Sequence, residues 1–276
     1  MATKAPTFYE EVTAAVNHFK QWGFRSQAEL DSWTARIRRS ALLQLKTPEQ
    51  IDREMRAMLT DRYRALVTRG GLRAKMPEVS RMGLERVKPK LRKELDRRIM
   101  ASANLIKLNR QQAVDKTLQR FQGWATSIPE GGSRAVDVKP VKDDIRKSIG
   151  QMDFVERRVS IDQSHKLVAT IQDITATENG ALAVRWNSPW LRPGYDFRKD
   201  HKERDQKVYA IRGNEALEKG LMKAGDAGYY DEITNVGEEV FCSCWATYIF
   251  ALRKLPPDML TKKGAYALPV AAKAEQ

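Results

Sequence analysis

The sequence predicts an α+β fold: a mostly α-helical N-terminal region with long amphipathic helices, followed by a small C-terminal α+β module. Apolar residues recur at helical spacing through most of the chain up to residue 177. The Asn179-Gly180 pair is a strong turn signal, and the first convincing strand, residues 182–186, follows it. Both cysteines and three of the six tryptophans lie in or beside residues 185–244, so the chemically distinctive part of the chain comes late.

The helical region opens with three amphipathic segments. Residues 7–23 carry apolar side chains at helical spacing and form the first predicted helix. A capping box at residues 26–29 starts the second helix, and Thr47-Pro48 starts a third, which the Gly70-Gly71 pair ends. Amphipathic helices of this kind form a core only by packing on one another.

A longer helix is predicted from residue 90 to about residue 123, after Pro77 and Pro89 bracket a short irregular or helical piece. Its apolar face contains Leu91, Leu95 and Ile99. The opposite face is basic and contains Lys90, Arg92, Lys93, Arg97, Arg98, Lys107 and Arg110. Two interpretations stay open: a solvated face that confers solubility, or a stripe that contacts DNA phosphates or an acidic ring of a partner protein.

Three segments describe the predicted domain organisation. Residues 1–127 form a helical domain, residues 128–180 a hinge and a long helix from about 152 to 177, and residues 181–276 the small α+β module. The Ala/Lys-rich tail after Pro269 is expected to fray. His165, between Ser164 and Lys166, is interpreted as an ordinary surface or boundary residue.

Composition indicates a soluble, helix-rich protein with an anionic partner. The chain has 276 residues, and its 49 Lys and Arg exceed its 35 Asp and Glu, for a net charge of +14. This excess favours nucleic acid first, an acidic protein surface second and membrane headgroups third. Two cysteines in a Cys-x-Cys array exclude a multi-disulfide framework and favour a reducing compartment. We expect no membrane span and no signal peptide, because no apolar run has the required length.

The late segment contains one set of soft metal ligands. His201, Cys242 and Cys244 offer three ligands to Zn²⁺, the candidate cofactor, with Asp196, Asp200 or water as the fourth. The alternative is two buried apolar cysteines and a hydrogen-bonded histidine. Alternating acidic and basic side chains are also expected to pair into a structural network that fixes a loop. This network comprises Arg185, Trp186, Asp196, Arg198, Arg204 and Asp205.

The order of these motifs resembles the C-terminal part of the phage head morphogenesis family, the Mu F-like minor head proteins. The matching residues are Arg185-Trp186, Asp196, Arg198, His201, Arg204-Asp205, Cys242-Ser243-Cys244 and Tyr248, within residues 182–254. The resemblance implies a non-enzymatic minor virion protein at the portal vertex or neck, needed for head assembly or DNA delivery. It also implies several copies around the portal, with the portal protein, other head and neck proteins and packaged DNA as partners. The implied location is the virion, and the host cytoplasm during assembly.

One departure from the family pattern is clear. The family tends to have Asp-Gly after the His-x-x-Arg motif, whereas this chain has Asp205-Gln206. Because a non-glycine residue prefers negative φ, we expect the local turn to differ. The insert at residues 213–235 is also longer than a minimal module needs.

Two other function classes compete with the structural one. A metal-dependent nuclease would use His201 as base or ligand, and Asp196, Asp200 or Asp205 to bind metal. Against it, thiolates are soft ligands, and the chain has neither a phosphate-cradling glycine-rich loop nor a recognisable nucleophile motif. A free-standing DNA-binding regulator is the third class, but no helix-turn-helix or RNA-binding signature supports it.

Overall fold

A computed structural model describes residues 6–268 and confirms the α+β class, with long helices followed by a small antiparallel sheet near the C-terminus. The predicted fraying after Pro269 lies outside the described residues. The helices are α1 (Phe8–Trp22), α2 (Gln27–Gln44), α3 (Pro48–Tyr63), a π-helical turn (Arg64–Thr68), α4 (Gly71–Lys75), α5 (Arg81–Ser127), α6 (Val138–Gly150), α7 (Met152–Glu178), α8 (Lys199–Glu203), α9 (Glu215–Glu218) and α10 (Lys262–Ala267). The strands are β1 (Ala183–Asn187), β2 (Val208–Ala210) and β3 (Trp245–Ile249), and 3₁₀ turns cover Tyr230–Glu232, Leu252–Lys254 and Pro257–Met259. None of the helices within residues 6–268 combines the length and the apolar character that a membrane crossing needs.

Local capping explains where several helices begin. The predicted start of α3 is confirmed, because Thr47 and Gln50 exchange reciprocal side-chain hydrogen bonds with each other's backbone N–H. At α2 only one of the two hydrogen bonds of the predicted capping box is present. The Ser26 hydroxyl accepts the N–H of Glu29, but the Glu29 carboxylate binds His18 instead, at 2.7 Å.

Two compact units make up the chain. One combines residues up to 56 with residues 100–160, and the other combines residues 57–99 with residues from 161 onward. The predicted boundaries after residues 127 and 180 differ from this grouping. The reason is that α5 and α7 each supply residues to both units, and shared cores rather than loops define the units.

The core of the first unit is built from α1, α2, α5 and α6. Phe19 and Phe121 meet edge to face with ring centroids 5.7 Å apart, and Ile145 of α6 joins the same cluster. Helix α6 lies where the sequence suggested loop and hinge. Its Pro140 is tolerated because it occupies the first turn, where the missing N–H has no helical partner, and Asp137 caps that turn.

Helix α5 begins at Arg81, well before the predicted start at residue 90, and continues through Pro89. The proline removes a single backbone donor, and Val87 and Leu91 on either side of it are fully buried. Burial of this apolar stripe therefore outweighs the missing hydrogen bond. The predicted long helix before the strand is confirmed as α7, and the predicted strand is β1, shifted by one residue.

The sheet has the order β2-β1-β3, with all neighbours antiparallel. Strand β1 is central, and its alternate side chains enter two different clusters, as the period of a strand requires. Ala183 packs with Ile249 and Met259 on one side. Val184 and Trp186 pack on the other side, and this side contains both cysteines.

The turn before β2 contradicts the expectation that Gln206 gives it a different shape from an Asp-Gly turn. Gln206 has a φ of +63°, which is the left-handed conformation that a glycine would supply. The geometry is imposed by pairing with β1, because the Gln206 N–H donates to the Trp186 carbonyl at 2.8 Å and the Trp186 N–H donates to the Lys207 carbonyl at 2.9 Å. The turn therefore keeps the backbone form of an Asp-Gly turn without the glycine.

We expect Gln206→Gly to raise the free energy of unfolding by about 1 kcal/mol, because glycine relieves the left-handed strain. The two side-chain hydrogen bonds that this substitution removes are long, at 3.3 and 3.4 Å, so they oppose the gain only weakly. Urea denaturation measures the change. The reciprocal control is Gly194→Ala, where φ is +71° and the added Cβ meets open space, so only strain is added and stability should fall. A less stable Gln206→Gly variant would show that the side chain matters more than φ.

Candidate metal centre

The structure brings together the three soft ligands that the sequence predicted. His201 Nδ1 lies 3.7 Å from Cys242 Sγ and 3.5 Å from Cys244 Sγ, and one ligand atom from each residue fits within 4.8 Å of the others. All three residues are buried, with 1%, 3% and 0% of their surfaces exposed. The cluster is therefore a possible metal-binding site inside the second unit.

Short elements and aromatic packing position these side chains. His201 lies in the middle of α8, and its ring meets the Trp186 ring edge to face at 5.2 Å. Cys244 directly precedes β3, so strand pairing fixes its backbone. Helix α7 holds the cysteine segment: His165 Nε2 lies 3.1 Å from the Cys244 carbonyl oxygen, and the Phe241 N–H donates to Asp162 at 2.6 Å. His165 thus has a supporting role that the sequence did not reveal.

The backbone before Cys242 is strained. Phe241 has a φ of +59°, a conformation that side-chain-bearing residues rarely adopt. Asp162, which holds the Phe241 N–H, is itself buried and pairs with Lys166 at 3.1 Å. Strain of this kind persists only where surrounding contacts determine the geometry, so the position of Cys242 is tightly specified.

Hydrogen-bond donors surround the two sulfur atoms. The backbone N–H groups of Cys244 and Gly237 lie near Cys242, and the Ser188 hydroxyl and the Trp186 indole N–H lie near Cys244 without a hydrogen bond of good geometry. The Cys244 thiol also donates to Cys242, and this bond lowers the pKa of Cys242 to about 5. The same bond, together with burial, raises the pKa of Cys244. A cation bound here would be held by both sulfurs as thiolates.

The other face of the imidazole points at carboxylates. His201 Nε2 lies 3.4 Å from Glu239 Oε1 and 3.9 Å from Asp200 Oδ2. Arg198 fixes Glu239 through a 2.5 Å ion pair. With Nδ1 at the sulfurs and Nε2 at Glu239, the arrangement matches the carboxylate–histidine–metal relay that orients ligating histidines. Sequence reasoning missed Glu239, although its place three residues before Cys242 was a usable signal.

Unpaired buried polar atoms concentrate at this cluster. Within residues 6–268, seven buried side-chain nitrogen or oxygen atoms have no hydrogen-bond partner of good geometry, and three belong to Trp186, Ser188 and His201. Such atoms are rare in folded proteins, and each calls for an explanation such as an ion or a sulfur acceptor. The two thiols and the imidazole Nδ1 fit a bound cation, and Trp186 Nε1 and Ser188 Oγ could then donate to the resulting thiolates, whereas His201 Nε2 faces Glu239.

Asp196 was predicted as a metal ligand and network member, but it is exposed and belongs to neither group of clustered ligand atoms among the described residues. The network itself forms with other partners. Arg198 pairs with Glu239, and Arg204 pairs with Asp200 at 2.9 Å while lying over the Trp186 ring. Asp205 instead accepts the Ser188 N–H and the Trp190 indole N–H, at 2.8 and 3.0 Å. Arg185 is half-buried on β1.

The predicted basic face of α5 is largely occupied by acidic partners. Arg110 is 6% exposed and pairs with Glu156, so it cannot contact a partner molecule. Arg98, also largely buried, pairs with Glu94. The remaining pairs are Lys90–Glu178, Arg92–Asp96, Arg97–Glu94 and Lys107–Asp52. Arg98 and Arg110 are thus removed from the predicted stripe, because other helices cover part of the side that helical spacing identified. Lys93 is exposed and has no acidic partner within 4.0 Å among residues 6–268.

A cavity of about 350 Å³ lies beside the cysteine segment. It is lined by Arg97, Arg98, Lys166, Ala169, Thr170, Asp173, Tyr230 and residues 235–238. Burial raises the pKa of Asp173, which accepts a hydrogen bond from the Tyr248 hydroxyl at 3.2 Å. The cavity wall includes Gly237, whose N–H faces Cys242, so the two features share a loop.

Comparison with known proteins adds no family to this picture: no protein-family model, no curated protein and no solved structure matches the chain.

The metal centre makes a direct prediction. Elemental analysis of protein prepared under reducing conditions should find about one transition-metal ion per chain, and Cys242→Ser or Cys244→Ser should lose it, since a hydroxyl is a far weaker ligand than a thiolate. The matched control is Ser243→Ala, which changes the residue between the cysteines without touching a ligand atom. Equal metal content in all four proteins would contradict the site.

A second prediction concerns Asp173. Because its pKa is raised in the folded state, its contribution to stability is full below the unfolded pKa of about 3.9 and declines as the pH rises toward the folded pKa. Asp173→Asn keeps an acceptor for Tyr248 and removes the charge. The free energy of unfolding of this variant, relative to wild type, should therefore rise as the pH increases. Urea denaturation at several pH values measures this difference, and Asp196→Asn, which removes the same charge from an exposed side chain, is the matched control. A difference for Asp173→Asn that does not change with pH would contradict the prediction.

Proposed function

We propose that the protein is a non-enzymatic minor structural protein of a phage particle, whose C-terminal module is held together by one zinc ion. The observation that carries this proposal is the burial of His201, Cys242 and Cys244. A site that chemistry uses needs an open face for substrate, whereas a structural metal site is closed. The buried cluster fits the second kind.

Zinc is the ion that suits the donor set. Two thiolates and an imidazole are soft or borderline ligands, and they favour Zn²⁺ over Mg²⁺ or Ca²⁺, which take oxygen ligands. His201 and the two cysteines would supply three ligands of a tetrahedron. The bound ion would join α8 to the segment before β3, a connection across 41 residues of sequence.

The motif order and the overall charge support a place in the virion. The Arg-Trp strand, the His-x-x-Arg segment and the Cys-x-Cys pair occur in the order that resembles Mu F-like minor head proteins. A net charge of +14 suits a position near packaged DNA or an acidic portal surface. The proposed partners are accordingly the portal protein, other head and neck proteins and DNA, with several copies around the portal. The proposed locations are the virion and, before assembly, the host cytoplasm.

A metal-dependent nuclease is the alternative, and one observation favours it: Asp200, His201 and Glu239 place ligand atoms within 4.8 Å of one another. However, Arg204 pairs with Asp200, Arg198 pairs with Glu239, and the histidine between them is buried. Asp205, another candidate ligand, is a hydrogen-bond acceptor for Ser188 and Trp190. These contacts support a structural network more than a hydrolytic centre.

The test is the location and number of copies in intact particles. We expect quantitative mass spectrometry of purified particles to find the protein in few copies, and immunogold labelling to place it at a single vertex. Absence from particles and presence only in the infected cell would overturn the proposal. DNA cleavage with Mg²⁺, Mn²⁺ or Zn²⁺ that stops on chelation and in Asp200→Asn would instead support the nuclease. The paired control is Asp196→Asn, which lies outside the clustered ligand atoms.

A further inference from the structure

We infer that residues 62–81, here called the basic turn segment, form a binding surface for the phosphate backbone of duplex DNA. The segment comprises the end of α3, the π-helical turn, α4 and the first residue of α5. It lies N-terminal to the whole basic face that the sequence suggested, and it belongs wholly to the second unit.

The basic turn segment concentrates exposed positive charge that acidic side chains do not pair. It contains six Lys or Arg residues and a single acidic residue, Glu78, which Lys254 already pairs at 2.8 Å. Arg69 lies 3.7 Å from Asp61. The other five cations are exposed, and none has an acidic partner within 4.0 Å among residues 6–268. They are Arg62, Arg64, Arg73, Lys75 and Arg81.

The backbone of the basic turn segment is fixed by burial of its apolar side. Leu66, Val67, Leu72 and Met76 are buried in one cluster. The start of α4 abuts the π-helical turn so closely that a Cβ on Gly71 would lie 2.8 Å from the Ala65 carbonyl oxygen. Because the apolar side chains point into the core, the cations project outward from a turn of defined shape. Phosphate binding therefore does not require the chain to order itself first.

The chemistry of the surface favours duplex phosphates over the other anionic partners. A protein interface needs apolar or aromatic side chains at its centre, and single-stranded nucleic acid needs exposed aromatic rings on which bases stack. The basic turn segment exposes no large apolar side chain among its described residues, and its one aromatic residue, Tyr63, is buried. Contact with a duplex backbone needs only cations. The choice of DNA rests on the proposed function, which places the protein beside a packaged genome.

The test is a binding titration of the whole chain against a duplex of about 30 base pairs, followed by fluorescence anisotropy over a series of salt concentrations. The variant is Arg62→Gln/Arg64→Gln/Arg73→Gln. Its matched control is Arg39→Gln/Arg134→Gln/Arg157→Gln, which removes the same charge from three exposed arginines of the first unit. Thermal melting checks that both variants are folded.

We expect wild type and control to bind with affinities that fall steeply as salt rises. The basic turn variant should bind about ten-fold or more weakly at low salt, and the slope of log affinity against log salt should be shallower by about 2 to 3, roughly 0.9 for each phosphate contact that the variant cannot make. Equal losses in both variants would overturn the inference, because total charge would then explain binding. Binding of wild type to an acidic peptide but not to duplex would also overturn it.

These outcomes are separate from those of the proposed function. A protein that binds duplex through Arg62, Arg64 and Arg73 but is absent from particles would refute the virion role and leave the surface assigned. A protein that lies at one vertex but binds duplex equally well in both variants would refute the DNA-binding surface and leave the virion role standing.

Discussion

The contact between His201 and the two cysteine sulfurs closes a loop of about forty residues, and the C-terminal module depends on it. The three strands of that module have only five, three and five residues, so ladder hydrogen bonds alone order little of the chain. Closing a loop of this length costs entropy that grows slowly with its length. A metal bound by these three side chains would oppose this cost directly, because binding free energy becomes folding free energy when the site exists only in the folded chain.

The surroundings of the sulfurs are consistent with that dependence. Burying two thiolates without compensation is expensive, and the backbone N–H groups of Cys244 and Gly237 offset part of this cost at Cys242. The strained Phe241 and the buried Asp162 that holds its N–H are part of the same arrangement, since they fix the backbone that aims Cys242. These features are costly in an apolar packing role for the cysteines. They are useful if the sulfurs carry charge.

The sequence predicted the features that follow from periodicity and ligand chemistry, and it missed those that follow from packing. Helical spacing located α1, α3 and α7, and the scarcity of soft ligands identified His201, Cys242 and Cys244. It could not show that Glu239 rather than Asp196 approaches the imidazole, because that depends on how the loop before β3 folds back. Because proline usually ends a helix, the sequence predicted a start of α5 that is too late and did not predict α6. A helix tolerates a proline where apolar burial compensates for the missing hydrogen bond, as in α5, or where the proline lies in the first turn, as in α6.

Gln206 and the charged residues of α5 both show that contacts distant in sequence decide features that local sequence patterns cannot predict. A glycine-like φ at Gln206 arises because strand pairing with Trp186 leaves the backbone no other path, so the local preference yields to a non-local constraint. On α5, Arg98 and Arg110 are charged in any conformation, but packing brings Glu94 and Glu156 to them and removes them from the exposed surface. Net charge therefore predicts that the protein attracts anions, whereas only the positions of the unpaired cations indicate where on the surface an anion binds. The basic turn segment, residues 62–81, has five such cations in one short stretch, and it is the surface that we propose for this contact.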